Sequence, residues 1–246
     1  MTAPLFFVDD GALAVAEVHG ELVLAGAEAR HAVVVRRIGA GEVVHLADGS
    51  GRVAECRVVA AAADALTVTV LALHETDAPA VRFVLMQALA KGDRDDQAIE
   101  AATELGVDVV VPWQAERSIV QWRGERGAKA HRKWAALLRA AAKQSRRPTV
   151  PDLEDVVSSR MAVDRLAAAT TALVLHEEAT ARLTDVDLPG EGEVMVVVGP
   201  EGGITPGEVA AFEAAGAIPV RLGPTVLRAS SAGPAALAVL AARCRW

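Results

Sequence analysis

The alternation of apolar strands with amphipathic helices from Val81 onward constrains the fold of this chain more than any other feature. Such alternation favours an α/β domain with a mainly parallel sheet, because two parallel strands need a crossover connection that is usually a helix. A first helix is predicted from an Asp93 cap to Leu105, with Gly106 placed to end it. The predicted strands of this sheet are Val81–Leu89, Val107–Pro112, Thr171–Leu175, Val194–Val198 and Val220–Leu222.

The first 73 residues follow a different pattern. Short Val- and Leu-rich segments predict β-strands, Asp48-Gly49-Ser50-Gly51 predicts a hairpin turn, and Ala29–Ile38 predicts a short helix. The pattern changes around His74–Ala80, so we predict a small barrel-like domain at 1–73 and an α/β domain at 78–246. The predicted strands of the small domain are Leu5–Val8, Val43–Leu46, Val53–Val59 and Leu66–Leu71.

The charge of the chain is distributed unevenly. The formal net charge is −7, yet residues 117–147 hold ten Lys or Arg and a single acid, Glu125. In a helix predicted near Lys129–Gln144, apolar and basic residues occupy opposite faces, which indicates a basic stripe suited to a phosphate backbone. A merely solvated charged face is the alternative. The apolar face holds Trp134, Leu137, Leu138 and Ala141, and the basic face holds Arg132, Arg139, Lys143 and Arg146.

Composition argues against several classes of protein. With 52% apolar and 23% charged residues, the chain can bury a core and is not disordered. No apolar run approaches the ~18 residues of a membrane span, and the N-terminus lacks the basic and apolar regions of a signal peptide. Cys56 and Cys244 have no metal-site or redox spacing, and the six histidines form no ligand pair. These features predict a cytoplasmic protein without a membrane or metal partner.

Two glycine-containing junctions follow predicted strands, and the first lies after Val198. This strand stops at Gly199-Pro200, and Gly202-Gly203 allows backbone to approach a ligand closely. Thr205 is then placed to cap a helix, with Pro206 at its first position and Glu208 at the capping-box position.

The second junction is Arg221–Arg228, where a strand again ends in Gly-Pro and leads toward a helix after Ser231. Because ligands of open α/β sheets lie at the carboxyl ends of strands, two such loops predict a cofactor cleft, with two ordinary tight turns as the alternative. The chain has no P-loop motif, no dinucleotide fingerprint and no nucleophile elbow. With these motifs absent, the two loops best fit a cofactor that is held chiefly by backbone groups and not through phosphates.

Gly199-Pro-Glu-Gly-Gly203 together with Leu222-Gly-Pro-Thr-Val-Leu-Arg228 closely resembles the RsmE family, the 16S rRNA uridine-N3 methyltransferases of the SPOUT (α/β-knot) superfamily. The resemblance spans essentially the whole chain. Further matching segments are Lys91-Gly92-Asp93, Thr103–Val107, Glu116–Ser118, Lys143–Arg146, Arg147–Pro151, Val35–Arg37 and Asp48-Gly49.

The resemblance implies an N-terminal PUA-like β-barrel domain that binds RNA, and a C-terminal α/β domain with a trefoil knot, which is an exception to the rule against threaded chains. It implies S-adenosylmethionine as the cofactor, 16S rRNA within the 30S subunit as the substrate, and a homodimer. The cofactor-binding residues that it implies are Leu175, His176, Gly199, Pro200, Glu201, Gly202, Gly203, Leu222, Gly223, Pro224 and Leu227.

The same resemblance gives expectations for catalysis and RNA binding. N3 of uridine must lose a proton to attack, and we expect Arg228 to stabilise the developing anion, with a purely structural role as the alternative. Glu201 either accepts the proton or braces its loop. Because aromatic residues are scarce, we expect the RNA to be bound through its shape and phosphates rather than by stacking. The expected RNA-binding residues are Arg30, Arg36, Arg37, Arg117, Arg132, Arg139, Lys143 and Arg146.

Two departures from the family pattern keep other functions open. The family commonly reads Leu-Arg-Thr-Glu-Thr-Ala where this chain has Leu227-Arg-Ala-Ser-Ser-Ala232, so an acidic residue is replaced by Ser230. Glu100-Ala101 stands where the family often has Gln-Lys. The alternatives are a SPOUT enzyme that acts on ribose 2′-OH or on tRNA, a catalytically silent RNA-binding assembly protein, and a small-molecule enzyme that would leave the basic helix unexplained.

Overall fold

The computed structural model of the protein describes residues 3–9 and 11–246. The chain divides into two compact units. The first contains the described residues up to Ala78 together with Ala142–Val150, and the second contains Pro79–Ala141 and Pro151–Trp246. The predicted domains, 1–73 and 78–246, are each one continuous stretch of chain. They therefore do not place Ala142–Val150 in the first unit.

The first unit is built on a five-stranded sheet with the order β1-β3-β4-β5-β2, in which only the β1–β3 pair is parallel. Alternate residues of its long hairpin are buried, as in Leu66, Val68 and Val70, so one face of the sheet forms the core of the unit. Asp48 Oδ1 accepts hydrogen bonds from the backbone N–H of Ser50 at 2.8 Å, which stabilises the predicted turn. The strands are β1 (Leu5–Phe7), β2 (Glu21–Ala25), β3 (Val43–Ala47), β4 (Arg52–Ala62) and β5 (Ala65–Glu75).

Two elements of this unit differ from the prediction. The helix predicted at Ala29–Ile38 begins earlier, as α1 (Gly26–Arg30), and continues as one turn of π-helix over His31–Val35. This turn holds three consecutive valines, a residue type that lowers α-helix propensity. Strand β2 was not predicted, because it lies at the edge of the sheet and only Leu24 in it is buried.

The second unit is an α/β fold whose seven-stranded sheet is parallel throughout, which confirms the predicted class. The order is β12-β10-β11-β6-β7-β8, and β9 pairs with β7. Helices α2 and α6 pack on one face of the sheet, and α4 and α5 pack on the other. The strands are β6 (Val81–Ala88), β7 (Val109–Gln114), β8 (Asp152–Leu153), β9 (Val157–Ser158), β10 (Thr171–Leu175), β11 (Gly192–Val198) and β12 (Ile218–Val220); the helices are α2 (Arg94–Glu104), α3 (Gly124–Gln144), α4 (Ser159–Ala167), α5 (Pro206–Ala214) and α6 (Ala229–Cys244).

The predicted helix signals have mixed outcomes. The capping box of α5 is present, since Thr205 Oγ1 accepts from Glu208 N–H and the Glu208 carboxylate accepts from Thr205 N–H. Gly106 follows α2 with a φ of +90°, as its predicted role requires. Asp93 is the residue before α2, but its side chain makes no capping hydrogen bond, so that part of the prediction is wrong. Its backbone is left-handed (φ +59°), and its carboxylate lies 3.4 Å from Lys133 Nζ instead.

The predicted apolar face of α3 is confirmed, because Trp134, Leu138 and Ala141 are buried and Leu137 is half-buried. Trp134 packs edge-on against Trp122, with 4.9 Å between ring centroids. In the described part of the chain, no helix is both long and apolar enough to cross a membrane.

Candidate functional site

Three neighbouring strands of the parallel sheet, β12, β10 and β11, end at the same edge. The loops that follow them enclose a cavity of about 710 Å³, which is within the usual range for small-molecule sites. The cavity lies at the carboxyl ends of the strands, as expected for an open α/β sheet.

The cavity brings together nearly all the residues predicted to bind the cofactor. Leu175 ends β10 and His176 follows it, Gly199–Gly203 follow β11, and Leu222, Gly223 and Leu227 follow β12. Pro224 belongs to the third loop but does not line the cavity. The wall also includes apolar side chains (Val198, Ile204, Val220 and Ala232) and charged side chains (Arg94, Arg117, Glu177, Glu178, Arg221 and Arg228).

The loop after β11 is compact, and its first residue, Gly199, has no room for a side chain. A Cβ at Gly199 would lie 2.6 Å from Ile204 Cγ1, and Ile204 is buried in the core. Gly203 has a φ of +74°, and its N–H donates to the Pro200 carbonyl at 2.9 Å. The loop therefore presents backbone rather than side chains to the cavity along much of its length.

Glu201 is held by Arg94, the first residue of α2, and by Lys91 in the loop before it. Its Oε1 accepts from Lys91 N–H at 3.2 Å and from Arg94 Nη1 at 2.9 Å. Partial burial raises the pKa of this carboxyl, but the backbone N–H groups of Glu201 and Lys91 and the Arg94 guanidinium outweigh burial and lower the pKa below its ordinary value. A carboxylate with a lowered pKa is a weak proton acceptor. Of the two roles expected for Glu201, the geometry therefore favours bracing the loop.

The charge of Glu201 makes a prediction about pH. Because its pKa is lowered in the folded state, the stabilisation is complete above the ordinary value of about 4.5 and is lost as the pH falls through the folded-state pKa. Glu201→Gln keeps the acceptor oxygen but removes the charge, so its melting temperature should be below that of the wild type at pH 7 and should approach it as the pH falls below about 4.5 and through the folded-state pKa. Thermal unfolding across this pH range measures the difference in melting temperature between the wild type and Glu201→Gln. Glu213→Gln, on the exposed side of α5, is the control. A gap that widens in acid would contradict the assignment.

Arg117 and Arg94 both line the cavity. The sequence predicted Arg117 as an RNA-binding residue; in the structure its Nη1 donates to the Gly202 carbonyl at 3.0 Å, next to the glycine loop. Arg94 was not predicted to belong to the site. Its position directly after the matched Lys91-Gly92-Asp93 segment was the available signal.

Arg228 lies at the rim of the cavity and is exposed. Its backbone carbonyl accepts hydrogen bonds from the N–H groups of Ser231 and Ala232 at the start of α6, both at 2.9 Å. Its side chain plays no part in this cap and, within residues 3–9 and 11–246, makes no hydrogen bond or ion pair. The guanidinium is therefore available to a ligand. Ser230, the departure from the family pattern, lies half-buried in the first turn of α6.

The other basic residues differ in their availability. In the first unit, Arg30, Arg36, Arg37 and Arg146 are exposed, whereas Lys143 Nζ lies 3.0 Å from Glu28 Oε1 and 6.0 Å from the Phe6 ring centroid. In the second unit, Arg132 is exposed. Arg139 is half-buried and already interacts with another group of the protein. Part of the predicted basic stripe thus has structural partners.

No three or more His, Cys, Asp or Glu side chains in the described ranges 3–9 and 11–246 are grouped so that they could hold a metal ion. Cys56 is free and buried, and burial, helped by the nearby Glu55 charge, raises the pKa of its thiol to about 12. This thiol therefore stays protonated and unreactive at neutral pH.

Known proteins match the chain along its whole length. Residues 77–241 match the model of an RNA methyltransferase domain, and residues 24–71 match that of an RNA methyltransferase PUA domain. The ribosomal RNA small subunit methyltransferase E of Mycobacterium bovis is 46% identical, over 100% of this chain and 94% of the relative. The Bacillus subtilis protein of the same name is 28% identical over 88% of each.

Solved structures agree with these sequence matches. The ribosomal RNA small subunit methyltransferase E of Neisseria gonorrhoeae, solved bound to S-adenosyl methionine, superposes with a TM-score of 0.88 at 29% identity, covering 99% of this chain and 98% of that one. A Legionella pneumophila methyltransferase in complex with the same cofactor superposes with a TM-score of 0.86 at 27% identity over 99% of both chains.

Proposed function

Since the chain belongs to the RNA methyltransferase family of the ribosomal RNA small subunit methyltransferases E, we propose that it transfers a methyl group from S-adenosylmethionine to N3 of one uridine in 16S rRNA. It is an S-adenosylmethionine-dependent rRNA methyltransferase, with a PUA-like first unit and a catalytic α/β unit of the SPOUT class. The observation that carries the proposal is the cavity at the ends of β10, β11 and β12. The loops that were predicted to bind the cofactor line this cavity.

The residues of this cavity fit S-adenosylmethionine. The ligand has no phosphate, and the loops offer no phosphate-binding motif but supply backbone groups and apolar side chains such as Leu175, Leu222 and Leu227. We assign its binding to these leucines with His176, Gly199–Gly203 and Gly223; Pro224, which does not line the cavity, is left out of this set. When bound, it supplies a methyl group on a positively charged sulfur that is already activated toward a nucleophile. The protein therefore has mainly to orient the two reactants and exclude water.

Arg228 supplies the electrostatic part of the mechanism. As uracil N3 loses its proton to solvent, negative charge spreads onto the neighbouring carbonyl oxygens. A guanidinium that donates to one of these oxygens stabilises the anion and raises the fraction of nucleophilic base. The lack of any hydrogen bond or ion pair for this side chain among the described residues supports this role. Glu201, with its lowered pKa, serves as the brace that holds the loop to Lys91 and Arg94.

The proposal extends to the partners of the enzyme. N3 lies on the Watson–Crick edge, so the target uridine must be unpaired or flipped out of its stack. We propose the 30S subunit in the cytoplasm as the substrate particle, a homodimer as the active form, and a trefoil knot in the α/β unit. The exposed Arg30, Arg36, Arg37, Arg132 and Arg146 contact the RNA phosphates, with Arg117, Arg139 and Lys143 contributing near their protein partners.

Incubation with labelled S-adenosylmethionine and 30S subunits that lack the modification, followed by nucleoside mass spectrometry, tests the proposed reaction. The expected product is 3-methyluridine in 16S rRNA. A ribose-methylated product would contradict the N3 assignment, and no product from folded protein on a validated substrate would contradict the enzymatic function.

The contribution of Arg132 to RNA binding is expected to depend on salt. If this exposed side chain contacts one phosphate, Arg132→Ala should weaken binding to all RNA sequences and reduce the slope of log K against log salt by about 1. Lys143→Ala should instead lower stability, because it leaves Glu28 without its partner. Fluorescence-anisotropy titrations at four salt concentrations measure the slope, and an unchanged slope in Arg132→Ala would remove this residue from the interface.

A further inference from the structure

Glu208 is an almost fully buried carboxylate, with only 3% of the residue exposed. A capping-box glutamate needs only its own helix end, but this one also reaches distant segments. Its Oε1 accepts from Glu116 N–H at 2.8 Å and from Ser159 Oγ at 2.5 Å, while Oε2 accepts from Thr205 N–H at 2.9 Å. It therefore links the loop after β7, the start of α4 and the end of the glycine loop.

Thr205 is the second member of this network. Its Oγ1 donates to Glu116 Oε2 at 2.9 Å and accepts from Glu208 N–H at 3.1 Å. Glu116 and Thr205 are 89 residues apart in sequence, so no local turn explains the contact. The Thr205 hydroxyl thus joins the Glu116 carboxylate to the backbone at the start of α5, while the Glu208 carboxylate is bonded by Thr205 N–H.

The glycine loop is fixed from outside at three places. Glu116 holds Thr205, the adjacent Arg117 holds the Gly202 carbonyl at 3.0 Å, and the start of α2 holds Glu201. Gly199, Gly202 and Gly203 of the same loop line the cavity, whereas Glu116 and Glu208 do not. The network therefore acts on the cavity through the loop and not by touching its occupant.

We propose that Glu116, Thr205 and Glu208 form a positioning network that holds the glycine loop in its cofactor-binding conformation before the cofactor arrives. A loop that is ordered in advance loses less conformational entropy on binding, so the network raises cofactor affinity. This inference rests on the proposed function, because it takes S-adenosylmethionine as the ligand of the cavity. Glu116, Thr205 and Glu208 are positioning residues and not catalytic ones.

Isothermal titration of S-adenosylmethionine into matched variants tests the network. Thr205→Val keeps the size of the side chain but loses the hydroxyl, and we expect its Kd to rise about tenfold, which is the usual effect of losing a hydrogen bond to a charged group. Thr205→Ser retains the hydroxyl and should bind within about twofold of the wild type. Glu116→Ala should weaken binding like Thr205→Val, and Glu116→Gln, which keeps an acceptor oxygen, should recover most of the affinity.

The double variant Glu116→Ala/Thr205→Val should bind no more weakly than Thr205→Val alone, because Thr205→Val already breaks the hydrogen bond that Glu116→Ala removes. Glu213→Ala, on the exposed side of α5, is the control and should match the wild type. Melting temperatures separate positioning from a purely structural role, and a variant that melts earlier but binds with unchanged Kd would overturn the network. If the wild type binds and all variants match it, the network alone fails; a wild type without measurable binding overturns the proposed function as well.

Discussion

In the Gly199→Ala variant, S-adenosylmethionine is expected to bind at least ~10-fold more weakly than in the wild type. The new Cβ would lie 2.6 Å from Ile204 Cγ1, well inside van der Waals contact. Ile204 is 7% exposed and branched at Cβ, so it cannot rotate away without disturbing the core. The loop must shift instead, and overpacking of this kind costs about 1–3 kcal/mol. Equilibrium titration of the cofactor measures the loss.

Two companion variants make this test specific. Gly207→Ala lies in α5 of the same segment, where the nearest atom to a new Cβ is at 3.9 Å, so it should bind the cofactor like the wild type. Gly199→Ala/Ile204→Ala removes the clashing Cγ1 and should recover part of the affinity lost by Gly199→Ala. If Gly199→Ala bound normally, or if the double variant were no better, the close contact would not set the conformation of the loop.

In the Arg228→Ala variant, kcat at saturating cofactor is expected to fall about 10²–10³-fold, the usual effect of removing one donor that stabilises a developing anion. The Kd for S-adenosylmethionine should change by no more than about threefold, because the guanidinium contacts the substrate in this mechanism. The helix that follows should stay intact, since the backbone carbonyl of Arg228 and not its side chain caps α6. Single-turnover methylation of 30S subunits measures the rate.

Conservative and remote replacements complete the test of Arg228. Arg228→Lys keeps the charge and should recover part of the lost rate, and Arg160→Ala, an exposed arginine of α4 outside the cavity, should methylate at the wild-type rate. Near-normal turnover by Arg228→Ala, with normal cofactor affinity, would exclude a role in stabilising the anion.

Local patterns in the sequence predicted much of this fold. The strands of the α/β unit have long apolar runs, since they are buried on both faces, and the capping box at Thr205 needs only a glutamate three residues later. Strand β2 escaped prediction because, with Leu24 alone buried, it lacks an apolar face to recognise. Asp93 has the residue type of a cap, but the left-handed backbone after Gly92 directs its side chain to Lys133. Where a tertiary partner competes with a local motif, sequence spacing cannot decide the outcome.

In the candidate site, too, local patterns were predicted from the sequence and tertiary contacts were not. Leu175, the Gly199–Gly203 loop and Leu227 line one cavity, as expected from the rule that parallel strands end at one edge. The ion pair between Lys143 and Glu28 joins residues 115 positions apart, and a helical stripe gives no sign of it. The matched Glu116-Arg-Ser segment marked important residues without revealing their role, because its hydrogen bonds to Thr205 and Gly202 depend on the folded sheet.

The return of Ala142–Val150 to the first unit has a consequence for synthesis of the protein. Ala142 and Val150 pack with Leu5, Phe7 and Ala47, and Val150 N–H donates to the Gly49 carbonyl at 2.8 Å. A nascent chain that has emerged only as far as Ala78 therefore lacks part of its N-terminal core. At about 5–20 residues per second, the missing segment follows roughly 4–14 s later. During that interval only β6 and β7, two of the seven strands of the parallel sheet, have also emerged. The first unit can therefore complete its core only after part of the second has been made, and the second completes its sheet later still.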